Sequence, residues 1–235
     1  MSEDTNFDFK KHTDGWRLLL ATDMVAFTFI EKKLHVLLIK RRFDPGVGKW
    51  AIPGGFVHED ESLDEGAIRE LKEETGMNKP GYIEQLYTFG EVDRDPRARV
   101  ISVAYLILLN ESHKLKLRAA TDAREVKWFP VKQLPELSFG ESHSEIIEYA
   151  RQRLKWKLEY TNVAFGLLPK EFTLTQMQQL YESVYNEKID KRNFRKKVLA
   201  LDMVEPIDKV TQDLGRPAQL YKAATKKLVM YNRVV

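Results

Sequence analysis

Apolar and polar positions along the chain alternate between two periods, one suited to strands and the other to helices. Residues 1–20 are a polar lead-in. Residues 23–30 and 34–41 are rich in β-branched and other apolar side chains and are separated only by Glu31-Lys32-Lys33, the pattern of a β-hairpin. Residues 50–57 form an extended segment interrupted by Pro53, Gly54 and Gly55. Ser62 followed three residues later by Glu65 is a capping box, and Gly76 is a natural left-handed stop, so a helix is predicted over residues 63–75. Its Ala67, Ile68, Leu71 and Thr75 make a mostly apolar stripe. Strands are predicted at 82–89, 99–109 and 125–131, with a charge-dense loop at 90–98 and a variable surface insertion at 110–123. A helix over 144–156 covers a core with Ile146, Ile147, Ala150 and Leu154.

After residue 156 the character changes, which divides the chain into residues 1–156 and 157–235. A second capping box, Thr173 with Gln176, opens a helix to Tyr185 whose Met177, Leu180, Tyr181 and Val184 share one face. Asp190 is a good N-cap for a helix over 191–201 that buries Phe194, Val198 and Leu201 and turns a basic face outward. Two short strands, at 203–207 and 217–222, flank a tip at Gly215-Arg216 and read as a wing. Two helices with a short turn suit a helix-turn-helix, whose second helix enters the major groove. A small helical domain with a solvated basic face used for dimerisation accounts for the same pattern.

Within the helix over 63–75, Glu70, Glu73 and Glu74 fall on one face. Like charges four apart destabilise a helix by about 0.2–0.5 kcal/mol, so the cluster needs a reason. One reason is a hard divalent cation, Mg²⁺ or Mn²⁺, bound by oxygen ligands together with substrate phosphate; the other is a solvated face laced with salt bridges. Arg69, four residues before Glu73, is placed to hold that carboxylate, with Glu61 at the helix entrance as its second acidic partner. Gly54 and Gly55 either offer a carbonyl to the ion or simply permit a tight strand-to-helix turn. Arg41 at a strand end and Arg97 in the charged loop either grip phosphate or are solvated. The five histidines, His12, His35, His58, His113 and His143, read as satisfied or exposed structural residues. The chain has neither a Walker loop nor a Gly-x-Ser-x-Gly motif.

The order of these residues adds a resemblance. Gly55, five residues, Glu61, seven residues and then Arg69-Glu70-Leu71-Lys72-Glu73-Glu74-Thr75-Gly76-Met77 resembles a complete Nudix box. The resemblance implies an α/β/α sandwich whose box helix holds divalent metal against a nucleoside diphosphate linked to another group. It makes Glu70, Glu73 and Glu74 the metal-site and catalytic carboxylates, joined by Gly55, with Arg69 and Glu61 as their supports.

Composition narrows the setting. With 43% hydrophobic residues the chain can bury a substantial core, and with no cysteine it can form neither disulfides nor thiolate metal sites. The acidic, polar start and the lack of any long apolar run lead us to expect a soluble, cytoplasmic protein without membrane contact. The net charge of +3 is uneven: residues 156–235 carry 14 Lys and Arg against 9 Asp and Glu, which favours an acidic partner.

The second half carries its own resemblance. The runs Leu167-Leu168-Pro169-Lys170-Glu171-Phe172-Thr173-Leu174, Asp190-Lys191-Arg192-Asn193-Phe194-Arg195-Lys196-Lys197-Val198 and Gly215-Arg216-Pro217-Ala218-Gln219-Leu220-Tyr221, following a Nudix box, resemble the Nudix-related transcriptional regulators of the NrtR family. This implies a homodimeric repressor or activator whose winged helix binds a two-fold symmetric double-stranded operator while the Nudix domain senses ADP-ribose, a related nucleotide or a sugar. It also makes Lys191, Arg192, Asn193, Arg195, Lys196 and Arg216 the DNA-contacting candidates. Many members of that family have a damaged box. Here every acidic position is intact, so metal-assisted attack of water on a pyrophosphate stays chemically open, with the general base unassigned among the glutamates. The alternative is a Nudix pyrophosphohydrolase of the ADP-ribose type whose C-terminal domain only dimerises.

Overall fold

The computed structural model describes residues 18–76, 81–110, 123–211 and 217–234. Strands β1 (Leu19–Ile30) and β2 (Lys33–Arg41) form the expected hairpin, which turns through Glu31 and Lys32 at φ 46° and 62°. Two short strands follow, β3 (Trp50–Ala51) and β4 (Gly54–Phe56), then helix α1 (Leu63–Thr75), β5 (Tyr82–Phe89), β6 (Val100–Leu109) and β7 (Ala123–Pro130). The seven strands make one mixed sheet with the main order β3-β2-β1-β6-β5; β4 pairs with β1 and β7 with β2.

β1 lies at the centre, paired in parallel with β6 from Leu19↔Val100 to Thr28↔Leu109. It is apolar on both faces because both are covered. Met24 and Ala26 pack under α1 with Leu37, Ala67, Leu71 and Tyr105. The alternate residues Val25 and Phe27 pack on the other side, against Ile146, Ala150 and Leu154 of helix α2 (Gly140–Tyr160). The α/β/α sandwich therefore follows from period-two alternation along β1 between two helical layers.

α1 has the predicted ends: the Ser62–Glu65 capping box is made in both directions, and Gly76 closes it at φ 74°. α2 is longer than its periodicity predicts at both ends. It starts after Phe139, which is left-handed (φ 59°) and makes no side-chain cap, so no N-cap signal precedes it. It also runs past residue 156 to Tyr160, so the compositional change at 156 falls inside a continuous helix. The expected insertion at 110–123 lies almost wholly outside the described residues.

Beyond α2, α3 (Leu174–Tyr185) and α4 (Lys191–Ala200) form the helix-turn-helix, and β8 (Val204–Val210) pairs antiparallel with β9 (Gln219–Ala223) as the wing. Both helices carry the expected caps, Thr173 with Gln176 and Asp190. Tyr181 meets Phe194 edge-on at 5.1 Å between ring centroids, and the core of this unit is continuous with the α2 side of the sandwich. Phe172 and Tyr221 exchange backbone hydrogen bonds that seat the wing on the segment before α3. The wing tip at Gly215-Arg216 lies outside the described residues.

Candidate functional site

The Nudix-box residues assemble around one cation. Arg69 donates from Nε and Nη2 to Glu61 at 2.8 and 2.6 Å, from Nη1 to Glu70 at 2.7 Å and to Glu73 at 3.2 Å, and from Nη2 to the Phe56 carbonyl at 3.0 Å. Its principal partners are thus Glu61, the expected second acidic partner, and Glu70, which sequence spacing did not pair with it, while the expected Glu73 is the longest of the carboxylate contacts. The guanidinium bonds hold the Glu61 carboxyl down to about 2, and Glu61 in turn raises the pKa of Arg69. Glu61 also accepts the His58 N–H at 2.9 Å, which fixes the entrance to α1.

Glu70 and Glu74 close against the backbone of β4. A Cβ on Gly55 would lie 2.0 Å from Glu70 Oε1, so only glycine leaves room for that carboxylate. Glu74 is 6% exposed and accepts the Gly54 N–H at 2.8 Å. Burial pushes the Glu70 carboxyl up in spite of Arg69. Glu73 is half exposed.

These side chains form one wall of a cavity of about 450 Å³. The rest of its lining was largely illegible in the sequence. Asp23, in the middle of apolar β1, accepts from Ser102 Oγ at 2.5 Å and from Arg94 at 3.0 Å, a buried ion pair that anchors the loop between β5 and β6. Arg97, in the same loop, pairs with Asp95 through two side-chain bonds at 3.0 and 2.7 Å. Burial acts to raise the Asp95 carboxyl, but the Arg97 bonds outweigh it and leave its pKa lowered. Arg41, at the end of β2, donates to the Pro45 carbonyl at 2.7 Å, and burial together with the nearby charge of Arg97 lowers its pKa.

Both arginines lie over the ring of Phe139, at 4.9 Å for Arg41 and 5.5 Å for Arg97, and Arg97 also lies 5.2 Å from the ring of Phe56. Glu70, Glu73 and Glu74 thus line the same cavity as Arg41 and Arg97, a mixture of carboxylates and guanidiniums that suits a diphosphate bridged to a metal. Arg41 and Arg97, singled out as alternatives to solvated ends, are brought together here.

His143 departs from its expected role as a satisfied or exposed residue. It is buried beside Phe139 (5.0 Å between rings), lines the cavity, and its Nδ1 has no hydrogen-bond partner among the described residues. Burial lowers its pKa to about 4. The sequence signals for this part of the lining were Arg41 at a strand end, a charge inside an apolar strand, Asp23, and a dense charged loop; nothing local marked Phe139 or His143.

The donor set suits a hard divalent cation: carboxylate oxygens and the Gly54–Gly55 backbone meet at the cavity wall, and Glu70 is buried with its charge only partly compensated. The three glutamates do not converge on a point, as the helical wheel suggests they should. Among the described residues no three acidic or histidine side chains stand close enough to hold a metal. The physical reason is that Arg69 Nη1 bridges Glu70 and Glu73 while the Gly54 N–H holds Glu74 separately.

In the winged helix, Lys191, Arg192, Asn193 and Lys196 are exposed on α4. Arg195 is half-buried and donates to Thr175 of α3 at 3.0 Å, which makes it a brace between the two helices. Arg216 lies outside the described residues.

Comparison with known proteins accords with this division of features. Residues 20–150 match the NUDIX domain, and residues 164–223 match the NrtR DNA-binding winged helix domain. The ADPR responsive transcriptional repressor NtrR of Acinetobacter baylyi is 34% identical over 208 residues, 88% of this chain and 82% of that protein. The crystal structure of Shewanella oneidensis NrtR complexed with a 27mer DNA superposes with a TM-score of 0.76 at 36% identity, covering 87% of this chain and 93% of that one. The NUDIX domain of the same Shewanella protein, crystallised with ADP ribose, superposes with a TM-score of 0.53 at 36% identity over 66% of this chain and 99% of that one. The cavity built on an intact box, the helix-turn-helix with its wing, and these matches along nearly the whole chain lead to one conclusion: the chain belongs to the Nudix family, in its branch of NrtR-like transcriptional regulators.

Proposed function

We propose that this protein is an operator-binding transcriptional regulator whose Nudix cavity binds an ADP-ribose-like nucleoside diphosphate. The observation that carries this reading is the lining of the cavity: the Glu70, Glu73 and Glu74 carboxylates and the Arg41 and Arg97 guanidiniums share it, in a chain that also carries an NrtR winged helix. The effector named for the relatives, ADP-ribose, has the diphosphate that such a cavity fits. Glu70, Glu73 and Glu74 would have to turn from Arg69 and the Gly54 N–H to hold Mg²⁺ or Mn²⁺ together with the Gly55 carbonyl, and the ion when bound would supply charge neutralisation for the diphosphate. Arg69 and Glu61 orient those ligands, and Arg41 and Arg97 grip phosphate oxygens. The two functional units divide where α2 ends, and the protein acts on DNA in the cytoplasm as a homodimer, matching a two-fold operator. Lys191, Arg192, Asn193 and Lys196 meet the duplex from α4, and Arg216 meets it from the wing tip.

The intact box favours a second reading, a Mg²⁺-dependent ADP-ribose pyrophosphohydrolase whose C-terminal domain only dimerises. Anisotropy titration of an upstream duplex at two salt concentrations separates the two. A regulator prefers its operator over random DNA by a factor of about 10³ or more, and the preference survives the salt increase. Equal affinity for both duplexes would leave only the enzyme.

A further inference from the structure

The last turn of α3 is held from three sides by the Nudix layers. Ser183 Oγ accepts the Leu34 N–H from the start of β2 at 2.8 Å. Asn186, the left-handed C-cap of α3, receives Lys132 from just beyond β7, and Val131 donates to the Leu34 carbonyl at 3.0 Å, which ties those two anchors together. α2 supplies the third grip: the Tyr185 hydroxyl donates to the Lys155 carbonyl at 3.2 Å, Lys155 Nζ lies 5.2 Å from the Tyr185 ring, and Arg151 donates to the Val184 carbonyl at 3.5 Å.

The same two elements, β2 and α2, also meet at the cavity. Arg41 ends β2, Phe139 precedes α2, and the guanidinium lies 4.9 Å from that ring. From Leu34 to Arg41 a strand spans about 23 Å, and from Phe139 to Lys155 a helix spans about 24 Å, so both rods bridge the same gap. The β2–β7 register shifts between Lys40 and Arg41, and the Arg41 backbone is tied to Gly48 and Lys49 of the following loop, so a movement of Arg41 is passed to β2.

α3 does not move alone. Gln178 and Glu182 both bind the Ile189 backbone in the turn, Arg195 of α4 is fastened to Thr175, and Tyr181 packs on Phe194. A displacement of residues 183–186 therefore carries the exposed Lys191–Asn193 end of α4 with it.

We propose that a ligand engaging Arg41 and Phe139 shifts β2 against α2, and that the Leu34–Ser183 hydrogen bond and the Arg151 and Lys155 contacts report this shift to the winged helix. This rests on the reading of the cavity as an effector site. Ser183 touches neither the cavity nor the outward face of α4, so its role is to couple the two sites and not to bind at either.

The test uses the full chain and an operator duplex selected by the wild-type protein from random-sequence DNA. ADP-ribose and duplex affinities are each measured alone and then in the presence of the other ligand, for wild type, S183A and R151M. The factor by which ADP-ribose weakens DNA binding must equal the factor by which DNA weakens ADP-ribose binding. Wild type is expected to show a factor of about ten. S183A and R151M are each expected to keep both separate affinities within about twofold while the coupling factor falls below about three, and the double variant is expected to bring it to one. Melting curves confirm that the variants are folded. A wild type that binds ADP-ribose and DNA independently overturns the effector reading and this inference with it. A wild type that responds, alongside folded variants that respond equally, overturns this inference alone.

Discussion

Gly54 and Gly55 are adjacent in β4, yet alanine at the two positions is expected to fail in opposite ways. At Gly54 the added Cβ would lie 2.4 Å from the Thr22 carbonyl oxygen, 2.6 Å from Asp23 Oδ1 and 3.1 Å from Asp23 Cα. Thr22 and Asp23 belong to central β1, and Asp23 is itself held by Arg94 and Ser102, so neither neighbour can yield without parting the Asp23↔Gly54 pairing. Overpacking of this kind costs about 2–3 kcal/mol. For a chain of this size that lowers Tm by about 4–12 °C.

At Gly55 every close atom belongs to the end of one flexible side chain, Glu70, at 2.0, 2.3 and 2.6 Å. The carboxylate can retreat by about 1.5 Å to ordinary contact distance. It then leaves Arg69, which keeps Glu61 and the Phe56 carbonyl, so the net stability loss is about 1 kcal/mol. What G55A removes is a carboxylate of the proposed metal site, and Mn²⁺ affinity is expected to fall tenfold or more. Calorimetric melts and Mn²⁺ titration of both variants decide the matter. A G54A protein that melts with wild type, or a G55A protein that melts below G54A, would refute the crowding argument; a G55A protein with wild-type Mn²⁺ affinity would refute the metal site.

Three further outcomes are expected. His143 is buried with its pKa lowered to about 4 against about 6.5 unfolded, so the unfolded chain binds the extra proton between those values. Stability is therefore lost as pH falls from about 6.5 to 4, by up to about 3 kcal/mol, and H143Q melts should show a shallower acid slope; an unchanged slope would place the titration elsewhere. R41A is expected to weaken ADP-ribose binding by more than tenfold in isothermal titration while leaving Mn²⁺ affinity near wild type, and a matched loss of both would move Arg41 out of the phosphate end. K191A and R192A should each reduce the slope of log affinity for DNA against log salt by about 0.9; a slope unaltered by both would remove the start of α4 from the duplex.

Much of this protein is written locally. The capping boxes at Ser62 and Thr173, the N-cap at Asp190 and the left-handed Gly76 set helix ends through contacts within three or four residues, so sequence spacing located α1, α3 and α4 closely. The β-branched and apolar runs at 23–30 and 34–41, parted by three polar residues, likewise foretold the hairpin, while its cover on both faces came from helices packed on it in the fold. The box glutamates and Arg69 were legible for the same reason, since all lie on one helix whose geometry is fixed.

Tertiary structure alone decided the rest. Asp23 and Arg94 lie 71 residues apart and meet only because β1 pairs in parallel with β6, which leaves the loop after β5 beside the start of β1, within reach of Asp23. Phe139 and His143 reach the cavity through the approach of α2, a helix whose start carries no side-chain cap for a sequence to reveal. The wheel placed three glutamates on one face, but the direction of each carboxylate was settled by partners from elsewhere, Arg69 with the β4 carbonyl for one pair and the Gly54 N–H for Glu74. Periodicity fixes which face a side chain occupies; which atom it meets there depends on long-range packing that no local spacing records.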